Sequence, residues 1–444
     1  MRASSPATAL ADALDGAAIA FALAGFAWLG LVYLRMLVSP APQEMREGAL
    51  IVTTLALLDW RNPFAPEVMA QSGNLYGILY PLLVVPFAAL FGPGLPVHRA
   101  VAGLAFLAAA ALFHRALRRG GVDRLTALLA TAAMLAGWLY WVGGTVRPDG
   151  VGVALMMAAY AIAAPDPAAP RRFALALAFS LAAMSAKIYF VFPAGVAAAY
   201  VFLFRSRALG IAFGLATLAG IVAVLGLLAL LLPGYPVLVL GANLQAARYD
   251  VAHLLRQSRD WALFSLPLLA ALLVAARHRA TPPGFWSFAA ACAAAALLLV
   301  LGGHPGAHLS YFFHLLSPPL AIAVLSAAAR RGTALRAYRL ALPVAMLASA
   351  PLYPLDPHRF TLAEARFAAA ERLMAEARAP LTTTELAALA ALEGIAPPET
   401  GHSEYLPEAL EVAPPHLLGP LWLPRPLIAR GIETLVDDVR AGIA

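Results

Sequence analysis

Lysine is almost missing from this chain. Of its 31 basic residues, 30 are arginine (31 less one), and Lys187 in "MSAKIYFVFP" (184–193) is the single lysine. Cysteine is as scarce: Cys292 is alone, inside an apolar run, which excludes an intrachain disulfide and a cysteine metal cluster. Charge of either sign is short, at 12% of residues against 62% hydrophobic, and mean hydropathy is +0.78. A soluble domain of 444 residues is excluded by those values, and a polytopic membrane protein is implied. No internal repeat is visible. No cleavage site follows the first apolar run, so no signal peptide is expected.

The net charge of +7 and pI near 9.7 would suit a nucleic-acid binder. The arginines instead cluster in short loops between apolar segments, the positive-inside pattern, so no nucleic-acid partner is expected. Arginine in place of lysine, with abundant alanine, fits a GC-rich bacterial genome. Spans need roughly 20 apolar residues. We read about eleven: 16–38, 96–114, 125–145, 149–164, 172–186, 188–204, 208–232, 261–276, 285–301, 311–329 and 336–352. The clusters "HRALRRGG" (114–121), "RRF" (171–173), "RSR" (205–207), "RHR" (277–279) and "RRGTALRAYR" (330–339) fall in alternate loops and share the cytoplasmic side. The expected arrangement is an all-α polytopic membrane protein of the bacterial inner (cytoplasmic) membrane, N-terminus cytoplasmic and C-terminus extracytoplasmic. Residues 1–352 form the transmembrane module, with a long first extracytoplasmic loop, 39–95. Residues 353–444 form a small extracytoplasmic C-terminal domain, where composition turns charged and proline-rich. The stretch "NLYGILYPLLVVPFAALFG" at the end of the first loop is too short and proline-rich for a span. It reads as a helix along or dipping into the interface.

On this topology several polar residues share the outer end of the bundle. Lys187 lies between two spans, and "VRPDG" (146–150) opens another with Arg147 and Asp149. "GGHPGAHLSYFFH" (302–314) adds His304, His308, Tyr311 and His314, and the first loop adds Glu44, Glu47 and Asp59. Taken singly, each has an ordinary reading. Arg147 and Lys187 snorkel to headgroups, Asp149 caps a helix, the loop acids are solvated, and Tyr76, Tyr80 and Trp60 are interface aromatics. Their convergence on one side points to a lipid substrate with an anionic head at the interface.

These stretches resemble the GT-C glycosyltransferases, in the branch of the lipid A aminoarabinose transferases and protein O-mannosyltransferases. "QEMREGALIVTTLALLDWRNP" (43–63) looks like that branch's first outer loop, where an acidic pair precedes a "GDW"-like turn. "LYPLLVVPFAALFG....VHR" is similar to the segment that follows, "RPDG" to the Arg/Asp pair opening the fourth span, and "AKIYFVFP" to the lysine-bearing "TKGP....P". "HLSYFFHLLSPPLA" is similar to the late "K..YLLP..P.LA" segment. The likeness covers most of 16–330. It departs in three places: Gln43 replaces the first acid, Lys187 lacks the following Gly-Pro, and His308 stands where a lysine is common.

The resemblance implies a GT-C-like bundle and an inverting transfer from a polyprenyl-phosphate sugar to a lipid, glycan or protein acceptor, among membrane lipids. Glu44, Glu47 or Asp59 would be the catalytic base. Lys187, Arg147, His308 and Tyr311 would bind the donor phosphate, with Asp149, Tyr76 and Tyr80 in support. Cations at the leaving phosphate make a metal unnecessary, so no cofactor and no metal is expected. Three alternatives stay open: a transporter or flippase of lipid-linked sugars, a lipid-linked-oligosaccharide polymerase or ligase, and a non-catalytic GT-C-like assembly subunit.

Overall fold

The structure, a computed structural model, describes residues 6–40, 47–65, 68, 74–139, 145–241, 249–275, 284–304, 309–329 and 332–350. Glu44, His308 and the tail 353–444 lie outside the described residues. Among the described residues every element is helical. The first half runs α1 (Pro6–Val38), α2 (Glu47–Leu58), α3 (Leu79–Phe91), α4 (Leu95–Arg119), α5 (Arg124–Leu139), α6 (Asp149–Ala163) and α7 (Pro170–Met184). The second half runs α8 (Phe192–Phe204), α9 (Arg207–Leu231), α10 (Val251–Phe264), α11 (Leu266–Ala275), α12 (Phe285–Ala296), α13 (Ser317–Ala329) and α14 (Gly332–Ser349).

Each of the eleven sequence-read spans overlaps helix among the described residues. Four are long and apolar enough to cross a bilayer: Ala9–Val38, Leu95–Arg119, Arg207–Leu231 and Phe312–Ala329, the last by joining the π turn Phe312–Leu316 to α13. Two others reach 17 residues only by joining irregular turns: the 3₁₀ turn Ile188–Val191 leads into α8, and the π turn Leu297–Leu301 extends α12. The chain is an integral membrane protein. Its outward faces carry leucine, valine and phenylalanine, as Leu215, Leu218 and Val222 on α9 show, while the interior is rich in alanine and glycine. Small residues let helices approach closely where lipid supplies no hydrophobic drive between them.

The structure revises two sequence readings. The first outer segment is not an open loop. Its helix α2 is buried along most of its length, with Leu50, Ile51 and Ala56 in the core. The span 261–276 is broken at Ser265, where α10 ends and α11 begins. Helix α10 begins at Val251, within the stretch 233–260 that separates two of the sequence-read spans. The stretch at the end of the first loop does form a helix, α3, with Tyr80, Val84 and Ala88 packed inward and Leu83, Phe87 and Leu90 exposed.

Helix α6 is the centre of the bundle and packs against α4 and α7. A Cβ at Gly152 would run into the Phe190 ring, so the missing side chain lets the 3₁₀ turn lie against α6. A similar close approach holds at Gly77, where a Cβ would strike the Ser185 carbonyl. There Gly77 N donates to Ala186 O at 3.0 Å and Leu79 N to Ser185 O at 3.0 Å. These backbone bonds lock the segment bearing Tyr76 to the segment bearing Lys187.

Candidate active site

Two buried ionic clusters occupy the end of the bundle where α6 starts and α7 stops. The first is built on Asp149, the opening residue of α6. Lys187 Nζ donates to Asp149 Oδ1 at 2.9 Å, and Arg147 Nε donates to Oδ2 at 3.2 Å. All three are buried, with 7% or less of each residue exposed. Charges this deep persist only when paired, so the geometry of one dictates the others. A carboxylate in the first turn is also held by the positive end of its own helix.

Aromatic rings wall this cluster. Lys187 Nζ lies 4.9 Å from the Tyr76 ring centroid, 5.6 Å from that of Tyr189 and 5.6 Å from that of Tyr311. Arg147 Nη2 donates to the Tyr76 hydroxyl at 2.6 Å, with its guanidinium 5.2 Å from the same ring. Ring faces attract cations, and the attraction grows in dry surroundings.

His314 completes the group. It sits mid-way in the π turn Phe312–Leu316, and such turns re-aim side chains that a regular helix would point elsewhere. Its Nδ1 is 3.2 Å from the Tyr189 hydroxyl and 3.5 Å from Asp149 Oδ1. Its buried Nε2 has no hydrogen-bond partner among the described residues. Trp138 Nε1 donates to Phe313 O at 3.0 Å and fixes the turn against α5.

The second cluster is a hub around Arg99 of α4. Its Nε and Nη2 donate to Glu47 Oε1 and Oε2, both at 2.9 Å, a bidentate pair with neither side chain exposed. Its Nη1 donates to Met36 O at 2.8 Å and Ser39 O at 2.7 Å, closing the C-terminal end of α1. Glu47 Oε1 also accepts from Val146 N at 2.8 Å, one residue before Arg147. The hub thus ties α1, α2, α4 and the start of α6 together and holds Arg147 from behind. Tyr80 belongs here, donating to His98 O at 2.9 Å, while His98 Nε2 lies 3.0 Å from Thr54 Oγ1.

The structure therefore brings Arg147, Asp149, Lys187, Tyr76 and Tyr311 together. Tyr80 is drawn into the neighbouring hub, and Glu47 is gripped by Arg99. Asp59 stands apart, solvent-exposed after α2 and paired with Arg61 at 2.8 Å. Trp60, beside it, turns the chain with φ 56° and is 97% exposed. Glu44 and His308 fall outside the described residues. Sequence reasoning missed Tyr189 and Arg99 as site-building residues and set His314 aside. Arg99 had a signal, since a lone arginine inside an apolar segment is a site marker by default. His314 and Tyr189 lie in stretches already quoted, but nothing local says which of their faces turns inward.

Chemically, the first cluster counts two basic side chains and one carboxylate among the described residues. It can hold an anion and stabilise negative charge as it develops, in surroundings poor in water.

No family model and no curated protein sequence matches the chain. Solved structures do. The crystal structure of ArnT from Cupriavidus metallidurans bound to undecaprenyl phosphate aligns over 92% of this chain and 88% of its own, at TM-score 0.58 and 17% identity. ArnT from the same organism in the apo state aligns over 90% and 88%, at TM-score 0.46 and 17% identity. The chain thus has the GT-C membrane fold of the lipid A aminoarabinose transferase, and the expected bundle class holds.

Proposed function

We propose that this protein is an integral-membrane glycosyltransferase that moves a sugar from a polyprenyl-phosphate donor to an acceptor. We place the reaction at the extracytoplasmic face of the bacterial inner membrane, with the N-terminus cytoplasmic and the C-terminus outside. The observation that carries the reading is the buried Lys187–Asp149–Arg147 cluster, two cations on one carboxylate among the described residues, at one end of a bundle folded like ArnT. ArnT binds undecaprenyl phosphate, and we carry over its ligand class, a long-chain polyprenyl phosphate.

In this mechanism the donor phosphate approaches Lys187 and Arg147. As the glycosidic bond breaks, charge grows on the bridging oxygen, and fixed cations stabilise it more in the transition state than in the ground state. Lysine supplies a compact point charge and arginine a planar fork, so the two are not exchangeable. Asp149 is pinned between them and acts as a positioning residue. Tyr311, and His308 if it comes near, would assist at the phosphate.

The base is a first-segment carboxylate, and we assign Glu44. Glu47 is the weaker choice because both its oxygens accept from Arg99, which suits a clamp. Asp59 is weaker too, being exposed and paired with Arg61. The carboxylate would take the acceptor hydroxyl's proton as the oxygen attacks the anomeric carbon from the face opposite the phosphate, giving inversion. The acceptor is a lipid, glycan or protein. The test is incubation of purified protein with radiolabelled polyprenyl-phosphate sugars. Release or transfer of sugar by the wild type and not by Lys187→Met supports the reading. A donor left intact by well-folded wild type across a panel of sugars and acceptors overturns it.

A further inference from the structure

A cavity lined by arginines and apolar side chains lies at the opposite end of the same helices. It has a volume of about 500 Å³ and opens between the C-terminal ends of α4 and α6, the start of α7, and α12 and α13. Helix α6 has 15 residues, so this cavity is about 22 Å from the Asp149 end. It therefore faces the other membrane interface.

Three arginines line it. Arg115 and Arg119 stand four residues apart on α4 and so share one face. Neither makes an ion pair or hydrogen bond among the described residues. Arg172 joins them from the first turn of α7, its Nη1 donating to Ile162 O at 3.3 Å. The carboxylate of the neighbouring turn, Asp166, accepts from Ala168 N at 3.3 Å and pairs with none of the three. Ser326 adds a hydroxyl whose buried oxygen has no hydrogen-bond partner among the described residues. Gly120 makes room for it, since a Cβ there would collide with the Ser326 oxygen. Trp286 lines the remaining wall beside apolar side chains.

Three cations, an unmatched donor and an indole around one cavity are more than positional bias needs. Arginines that only orient a membrane protein have no reason to converge on a pocket. We propose that this cavity binds the phosphate of an anionic phospholipid headgroup in the leaflet opposite the Lys187 cluster. The Arg115 and Arg119 forks would grip the phosphate oxygens, Arg172 would close over them, and Ser326 would donate its hydroxyl. Trp286 and the apolar wall suit the glycerol and first methylenes rather than a free ion. The proposal does not depend on the activity at the other end.

The test is native mass spectrometry of the full-length protein taken from bilayers of equal phosphatidylglycerol and phosphatidylcholine. Wild type is expected to retain phosphatidylglycerol selectively. Each arginine changed to glutamine should weaken retention about fivefold, and Arg115→Gln/Arg119→Gln/Arg172→Gln together should abolish it. Arg205→Gln/Arg207→Gln, at the same end but outside the cavity, should keep it, as should Lys187→Met. Millimolar inorganic phosphate should leave the lipid bound; full displacement by it would assign the site to soluble phosphate and overturn the lipid. Equal retention of the two lipids by wild type, which requires no variant to fold, overturns the proposal. So does an equal loss in the Arg205/Arg207 control.

Discussion

Lys187→Met removes a cation from the site cluster, and Asp149→Asn removes the carboxylate, with little change of volume in either case. Their effects on phosphate binding should have opposite signs. Among the described residues of the wild type, Lys187 and Arg147 against Asp149 sum to one positive charge. Lys187→Met takes this to zero, and Asp149→Asn raises it to two. A charge-assisted hydrogen bond is worth about 1.5–3 kcal/mol. Polyprenyl phosphate should therefore bind Lys187→Met roughly ten- to a hundredfold more weakly. Asp149→Asn should bind it at least as tightly as wild type, yet turn over slowly. The cations lose the 2.9 and 3.2 Å contacts that aim them. Both variants lose a buried pair, worth up to about 3–5 kcal/mol of stability, so affinity must be measured per folded molecule. Calorimetric titration of detergent-purified protein with polyprenyl phosphate, paired with thermal unfolding of the same samples, separates the two effects. If both variants lose phosphate affinity equally per folded molecule, the cluster is architectural and the phosphate role falls.

Four further outcomes are expected. Glu47→Gln and Arg99→Ala should each lower stability by about 3–5 kcal/mol in thermal melts, because each strands a buried charge. A Glu47→Gln protein that melts normally but has lost turnover would instead make Glu47 the base. Glu44→Gln should abolish transfer while polyprenyl phosphate still binds, as a binding titration beside a transfer assay would reveal; full transfer would remove Glu44 from the mechanism. A chelator such as EDTA should leave transfer unchanged, since the leaving phosphate is assigned to cationic side chains; loss of activity restored by one divalent ion would refute this. Reporter fusions at Arg207 and Gly401 should report opposite sides of the membrane, and the same side for both would overturn the proposed topology and the site assignments built on it.

The legibility of this protein divides by the range of the interaction. Helix existence was readable because span length and apolar content are local. All eleven sequence-read spans meet helix, and the break at Ser265 escaped because "WALF" (261–264), just before it, is as apolar as the run that follows. The candidate site was partly readable. Arg147, Asp149 and Lys187 stand at helix ends flanked by apolar runs, and their cost in such places marks them for a purpose. Glu47 was read as a candidate base because nothing next to it in sequence announces Arg99, 52 residues later.

The amino-acid sequence by itself determined that the chain is a membrane-embedded helical bundle and that Arg147, Asp149 and Lys187 stand at one end of it. Composition, apolar run length and alternating arginine-rich loops are properties of short stretches, and short stretches carry them whatever the rest of the chain does. Only the tertiary structure decided which charge meets which. Tyr76 reaches Arg147 across 71 residues, and Tyr189 meets His314 across 125. Those partners depend on how far each helix rotates about its axis and how closely neighbours approach. The Gly77 and Gly152 contacts and the π turn around His314 set both, and these arise from packing between distant segments rather than from any local period.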